Sequence, residues 1–200
     1  MSFACEFYKF LIDPLLYKLR RKVASMIPNE SSVVEIGFGT GAQSLLLART
    51  GRRVVGIDIN EVMTSCASNR ANKLNLDNIT YHTADGSNLN FISDKEFDFT
   101  TITLALHELE DDLRMSILTE MQRISKNLII VDYSAPLPKN ISGWVSSHIE
   151  MLAGGSHYAG FKNYIERGGL PAILDEMGLT IKHQYTAIGN AIIILEVTSP

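Results

Sequence analysis

Between residues 32 and 131 the chain alternates short β-branched runs with segments whose apolar residues recur every three or four positions. Val33-Val34-Glu35-Ile36 reads as a buried strand, and residues 53–57, 79–83, 97–104 and 128–131 read as four more. Helical spacing fills the intervals. Leu45, Leu46, Leu47 and Ala48 precede a stop at Gly51; residues 62–73 follow Asn60 as a cap; Leu113, Ile117, Leu118, Met121 and Ile124 stripe a third helix. Such alternation implies right-handed βαβ crossovers and a mainly parallel sheet with helices on both faces. Beyond residue 178 the rhythm changes. Residues 179–185 and 191–197 both read as strands, and the five residues Thr186-Ala-Ile-Gly-Asn190 cannot hold a helix. The two strands are therefore expected to pair as an antiparallel hairpin attached to the sheet.

Two segments stand outside this frame. In residues 7–27 an apolar stripe of Tyr8, Leu11, Leu15, Leu19, Val23 and Met26 predicts a helix, with Asp13 as a cap and Pro14 at the first position of a restarted turn. The basic run Lys18, Arg20, Arg21 and Lys22 reads as a solvated face, or as a peripheral contact with an anionic membrane surface. In residues 134–178 a helix over 141–152 would set Trp144 and His148 on one face. Gly154-Gly155 breaks it, after which His157, Phe161 and Tyr164 share another face.

The 200 residues, 46% hydrophobic and 20% charged, suit one folded domain and leave no room for separate cofactor and substrate domains. Residues 1–200 are thus read as one unit, with 1–30 as a helical cap and 134–178 as an acceptor-side helical insertion. A net charge of -4 argues against a nucleic-acid partner. Cys5 and Cys66 show no CxxC spacing and read as free thiols of a reducing compartment. Charged residues from Glu6 onward exclude a signal peptide, and no apolar run is long enough to span a bilayer. A cytoplasmic protein is expected.

The candidate chemistry begins at Glu35-Ile-Gly37-Phe-Gly39-Thr-Gly41, a glycine-rich turn leaving a strand, with Asp58 at the end of the next strand. Glycines allow the tight turn and close backbone approach to a ligand, and the acid suits ribose hydroxyls. The spacing Gly37-x-Gly39-x-x-Ala42 also satisfies a dinucleotide fingerprint, so an NAD(P)-dependent oxidoreductase is one alternative. Against it stand Glu35, unfavourable beside a pyrophosphate, the additional Gly41, and the hairpin ending. Phe38 is bulky and should either point away from the ligand or wall off one side of it.

These pieces, with Val54-Val55-Gly56-Ile57-Asp58, Thr83-Ala84-Asp85-Gly86, and Phe97-Asp98 leading to Leu104-Ala105-Leu106-His107-Glu108, resemble the class I S-adenosylmethionine-dependent methyltransferases. The likeness is greatest to the small-molecule branch containing ubiquinone and menaquinone C-methyltransferases. The resemblance implies a Rossmann-like seven-stranded sheet of order 3-2-1-4-5-7-6 with the last strand antiparallel. It assigns Glu35, Gly37, Gly39, Thr40 and Gly41 to the methionine part of S-adenosylmethionine, and Asp58 to the ribose. Ile59, Asn60, Val62 and Met63 would flank the adenine, which Asp85, Gly86 and Ser87 meet from another wall. Leu104 to His107 would lie beneath the sulfonium.

Methyl transfer from a sulfonium chiefly needs in-line placement and exclusion of water. Where the acceptor must lose a proton, His107 is the expected base at the ligand edge of the sheet. His157 and Tyr158 are the expected acceptor-side pair, in a segment whose aromatics suit a small aromatic or hydrophobic acceptor. No metal is expected, since His148, Glu150 and His157 lack an HExxH arrangement. The remaining alternative is a non-catalytic protein on the same fold that binds S-adenosyl ligands or acts as a scaffold. Sequence leaves the oligomeric state open.

Overall fold

The computed structural model describes residues 5–6 and 8–198. The rest of the expected N-terminal cap, and the side chain of Tyr8, lie outside the described residues. Seven strands form one sheet of order β3-β2-β1-β4-β5-β7-β6. They are β1 (Ser32–Ile36), β2 (Arg53–Asp58), β3 (Ile79–Thr83), β4 (Phe97–Thr103), β5 (Ser125–Tyr133), β6 (Thr180–Ala187) and β7 (Ile192–Thr198). The first five run parallel, and β7 enters antiparallel between β5 and β6. The hairpin turn carries positive φ at Ile188, Gly189 and Asn190, the conformation that reverses a chain tightly.

The central strands are apolar on both faces because helices cover both. Val33, Val34, Ile102, Leu128, Ile129 and Ile130 are all essentially inaccessible. The helices are α1 (Asp13–Met26), α2 (Ala42–Ala48), α3 (Glu61–Lys73), α4 (Asp111–Ile124), α5 (Ile141–Ala153), α6 (Gly155–Glu166) and α7 (Gly169–Glu176). A π-helical turn, Tyr8–Ile12, leads into α1, and a 3-10 turn, Leu106–Glu108, leaves the edge of β4. Asn60 caps α3 as expected, its Oδ1 accepting from Val62 N and Met63 N.

Three local expectations need correction. Asp13 does not cap α1; its carboxylate instead accepts from Thr40 Oγ1 at 2.9 Å and pairs with Arg20 and Arg70. A cap bond is local, whereas this clamp spans sequence distances that no short motif reports. Because Arg20 is spent on Asp13 and Lys22 lies 3.5 Å over the Tyr185 ring, the basic run is not one free face. Cys5 and Cys66 are paired as a disulfide rather than free, with Cα atoms 6.5 Å apart. Helix α7 was not expected, since Gly168, Gly169 and Pro171 hide an eight-residue helix behind turn-forming residues. Among the described residues, no helix is long and apolar enough to cross a membrane.

Candidate functional site

The site forms where β1, β2, β3 and β4 end, because the crossovers leave an open crevice at the carboxyl edge of a parallel sheet. After Ile36 the chain turns through Gly37, Gly39 and Gly41, all at positive φ. Gly37 N donates to Ile57 O at 2.8 Å, so the turn begins locked to β2. A side chain at Gly41 would meet Tyr81 Oη at 2.7 Å and Ala67 Cβ at 2.8 Å. Phe38 is buried with its ring 4.7 Å from that of Tyr81, away from the crevice. Asp58 ties the turn to the end of β2: Oδ2 accepts from Gly39 N at 2.8 Å and Oδ1 from Asn60 N at 2.9 Å.

Gly37, Gly39, Asp58, Ile59, Met63, Asp85 and Leu104 share the wall of one cavity of about 390 Å3, with Asn60 beside them. Asp85 holds Ser87 through its backbone N and its hydroxyl, at 2.9 and 2.7 Å, and these bonds keep its carboxyl below the usual range. Sequence reasoning missed the opposite wall. Leu109, Leu113 and Ile117 make it apolar beside the expected Ala105, and Glu108 places a carboxylate on it. The helical stripe that announced α4 gave no sign of which stripe residues would face the cavity.

Eight expected cofactor residues do not line this cavity: Val62, Ser87 and Leu106, and the five taken next. Thr40 is buried and bonded to Asp13, and Gly41 starts α2 behind the turn. Gly86 packs against Ile36, where an added Cβ would lie 2.7 Å from Cγ2. Glu35 lies beneath the turn, buried, with Oε2 lacking a hydrogen-bond partner. Burial pushes its carboxyl up to about 8 against the opposing pull of the Ser44 hydroxyl and the Arg20 charge. Raised in the folded chain and ordinary in the unfolded one, Glu35 contributes stability that is complete below pH 4.5. That contribution is lost as pH rises toward 8. Denaturant titrations should show Glu35→Gln gaining about 2 kcal/mol on the wild type between pH 6 and 7.5. Parallel pH profiles for the two proteins would show that Glu35 is not held neutral.

The fifth is His107, which the 3-10 turn folds into the interior. Its Nδ1 lies 2.6 Å from Asp132 Oδ1, its backbone N donates to Asp132 Oδ2 at 3.1 Å, and Nε2 lies 3.5 Å from Glu150 Oε2. Burial alone would lower its pKa, but the two carboxylates outweigh burial and lift it to about 10. Buried between these two carboxylates, His107 does not line the cavity where a base would meet an acceptor. His157 is about one-third exposed and joins the same cluster. Its Nε2 is 2.5 Å from Glu150 Oε2, and its Nδ1 is 2.9 Å from Glu108 Oε2. Tyr158 is half-buried, its ring 6.3 Å from Phe161. Trp144 and His148 share a face as expected, their rings 3.9 Å apart.

Two close packings place this cluster. At Gly160, a Cβ would stand 2.4 Å from Glu108 O, so only glycine lets α6 approach the 3-10 turn this closely. Arg114, fully buried, donates to Leu106 O at 3.0 Å and Leu109 O at 2.7 Å, and reaches Asn163 Oδ1 on α6 at 3.1 Å.

The cavity's chemistry fits an adenosyl ligand. The carboxylates of Asp58 and Asp85 stand on its wall together with Glu108, positive-φ glycines bring backbone close, and Ile59, Met63 and Leu104 offer apolar surface. Residues 33–127 match the methyltransferase domain family. A demethylmenaquinone methyltransferase of Tropheryma whipplei (strain Twist) is 34% identical over 107 residues, 52% of this chain and 42% of that protein. Protein-L-isoaspartate O-methyltransferase 2 of Syntrophobacter fumaroxidans is 38% identical over 60 residues, 30% of this chain and 24% of its own. The chain thus spans less than half the length of these curated relatives. A solved S-adenosylmethionine-dependent methyltransferase from Aquifex aeolicus shares the fold, with a TM-score of 0.70, 20% identity and full coverage of both chains. The match of residues 33–127 to a methyltransferase domain, the demethylmenaquinone methyltransferase relative and the shared seven-stranded fold make this chain similar to S-adenosylmethionine-dependent methyltransferases.

Proposed function

We propose that the protein transfers the methyl group of S-adenosylmethionine to a small aromatic or hydrophobic acceptor. The observation that carries this reading is the single cavity wall shared by Gly37, Gly39, Asp58, Asp85 and Leu104. Asp58 would accept from the ribose, Asp85 from the adenine amino group, and Ile59 and Met63 would flank the ring. Once bound, the cofactor supplies an electrophilic methyl on a sulfonium. The protein's part is to hold that ligand, exclude water and orient the acceptor. Leu109, Leu113 and Ile117 give the opposite wall an apolar character, which supports an acceptor of the same kind.

An acceptor that must shed a proton meets Glu108 on the cavity wall, with His157 Nδ1 directly behind it at 2.9 Å. This pair is the form of histidine assistance that the geometry supports. Exposed Phe10, Leu11 and Leu15, beside the solvent-facing Lys18 and Arg21, support peripheral contact of the N-terminal helix with a lipid surface. A hydrophobic acceptor would be met there.

The reading is tested by incubating the chain with S-adenosylmethionine carrying a radiolabelled methyl and a panel of quinols, phenols and other small aromatics. Label should pass to an extractable acceptor. With that acceptor, Glu108→Gln should lower turnover roughly tenfold while leaving S-adenosylhomocysteine affinity unchanged. Cofactor binding with no turnover on the whole panel would favour a non-catalytic binding protein instead.

A further inference from the structure

The cluster behind Glu108 has a geometry beyond that needed for methyl transfer. His107 on the 3-10 turn, Glu150 on α5 and His157 on α6 bring one ligand atom each within 4.8 Å of the others, with Glu150 Oε2 lying 3.5 Å from His107 Nε2 and 2.5 Å from His157 Nε2. Each of the three is also held from its far side. Asp132 Oδ1 holds His107 Nδ1 at 2.6 Å, Glu108 Oε2 holds His157 Nδ1 at 2.9 Å, and Tyr133 Oη donates to Glu150 Oε1 at 2.7 Å. A carboxylate on the outer nitrogen of each imidazole leaves the Nε2 atoms turned inward toward the shared Glu150 oxygen. This is the outer support that orients metal-binding histidines.

We propose that His107, Glu150 and His157 bind a divalent transition-metal ion of the Zn2+ class. Two imidazoles and one carboxylate form a ligand set suited to such an ion, with a fourth position left for water or another oxygen ligand. Ligand atoms about 2.0–2.1 Å from a tetrahedral ion stand roughly 3.3 Å apart. The 3.5 Å from His107 Nε2 to Glu150 Oε2 already matches that spacing, and the 2.5 Å from His157 Nε2 needs a small opening. His157, about one-third exposed, provides the way in. A dication held there lies among three carboxylates, Asp132, Glu108 and Glu150, whose negative charge it offsets.

Spacing along the sequence could not reveal this set. Glu150 and His157 lie across the Gly154-Gly155 break, and His107 arrives from the other side of the fold. His148, the histidine nearest Glu150 in sequence, turns toward the backbone oxygen of Trp144.

The test uses the full chain freed of metal by a chelator and dialysis, with no cofactor or acceptor present. Its outcome is therefore separate from that of the methyltransferase reading. Zn2+ titrated by calorimetry should bind at one equivalent per chain with micromolar or tighter affinity, and Co2+ should give visible d–d absorption of a low-coordinate site. His157→Ala should weaken Zn2+ binding at least tenfold and abolish the Co2+ spectrum. Glu108→Gln should weaken it by about tenfold through loss of outer support. Because His107 and Glu150 are buried, circular dichroism checks that His107→Gln and Glu150→Gln remain folded before their loss of binding is scored. His148→Ala serves as the control that retains wild-type affinity. No stoichiometric binding, or binding equally strong in His157→Ala, would overturn the proposal and leave a hydrogen-bonded cluster alone.

Discussion

Arg114→Ala should destabilise the protein by roughly 3–5 kcal/mol, the range for removing one partner from a buried charged network. The side chain is fully buried and its guanidinium serves three elements at once. It satisfies the carbonyls of Leu106 and Leu109 at both ends of the 3-10 turn, reaches Asn163 on α6, and pairs with Asp111 at 3.0 Å. Alanine would remove the guanidinium donors from Leu106 O, Leu109 O and Asn163 Oδ1 and open a cavity against Tyr164, over whose ring the guanidinium sits at 5.4 Å. Lysine would keep the charge but cannot present donors in several directions, so Arg114→Lys should recover little. Urea unfolding followed by circular dichroism measures the effect as a lower midpoint at unchanged slope. A loss below about 1 kcal/mol would mean that the 3-10 turn is held by packing alone.

The second large effect falls on ligand binding. Asp58→Ala should weaken S-adenosylhomocysteine binding by roughly 100-fold, the equivalent of one or two hydrogen bonds to a charged acceptor. The carboxylate faces the cavity while fixing Gly39 N and Asn60 N, so its removal loses a ligand contact and loosens the turn together. Asp58→Asn retains one acceptor oxygen and should lose less. Thermal unfolding without ligand separates the two contributions, because loosening of the turn lowers stability while loss of a ribose contact does not. An affinity within threefold of wild type would remove Asp58 from the site.

The sheet was legible because its signals are local and repeated. Period and composition located all seven strands, and Asn60 declared its cap through a side chain bonded two and three residues ahead. The cavity wall was legible for a related reason. Gly37, Gly39, Asp58 and Asp85 sit at strand ends, and in a parallel sheet the strand ends converge wherever the strands do. What escaped was everything made by long-range packing. Asp13 reads locally as a cap, yet it clamps Thr40 and Arg70 across 27 and 57 residues. His107 reads as a base at the strand edge, but the 3-10 turn carries it inside against Asp132 and Glu150. Its neighbour Glu108 takes the place on the cavity wall. A shift of one residue around a tight turn exchanged the two positions, and no pattern in the sequence specifies that rotation.

The central claim is that the crevice above β1, β2 and β4 binds the S-adenosyl group. Calorimetric titration of the wild-type chain with S-adenosylhomocysteine tests it most directly. One site per chain is expected, with a dissociation constant in the micromolar range or below, about -8 kcal/mol at 1 μM. Absence of binding at millimolar ligand, by a chain shown to be folded, would contradict it.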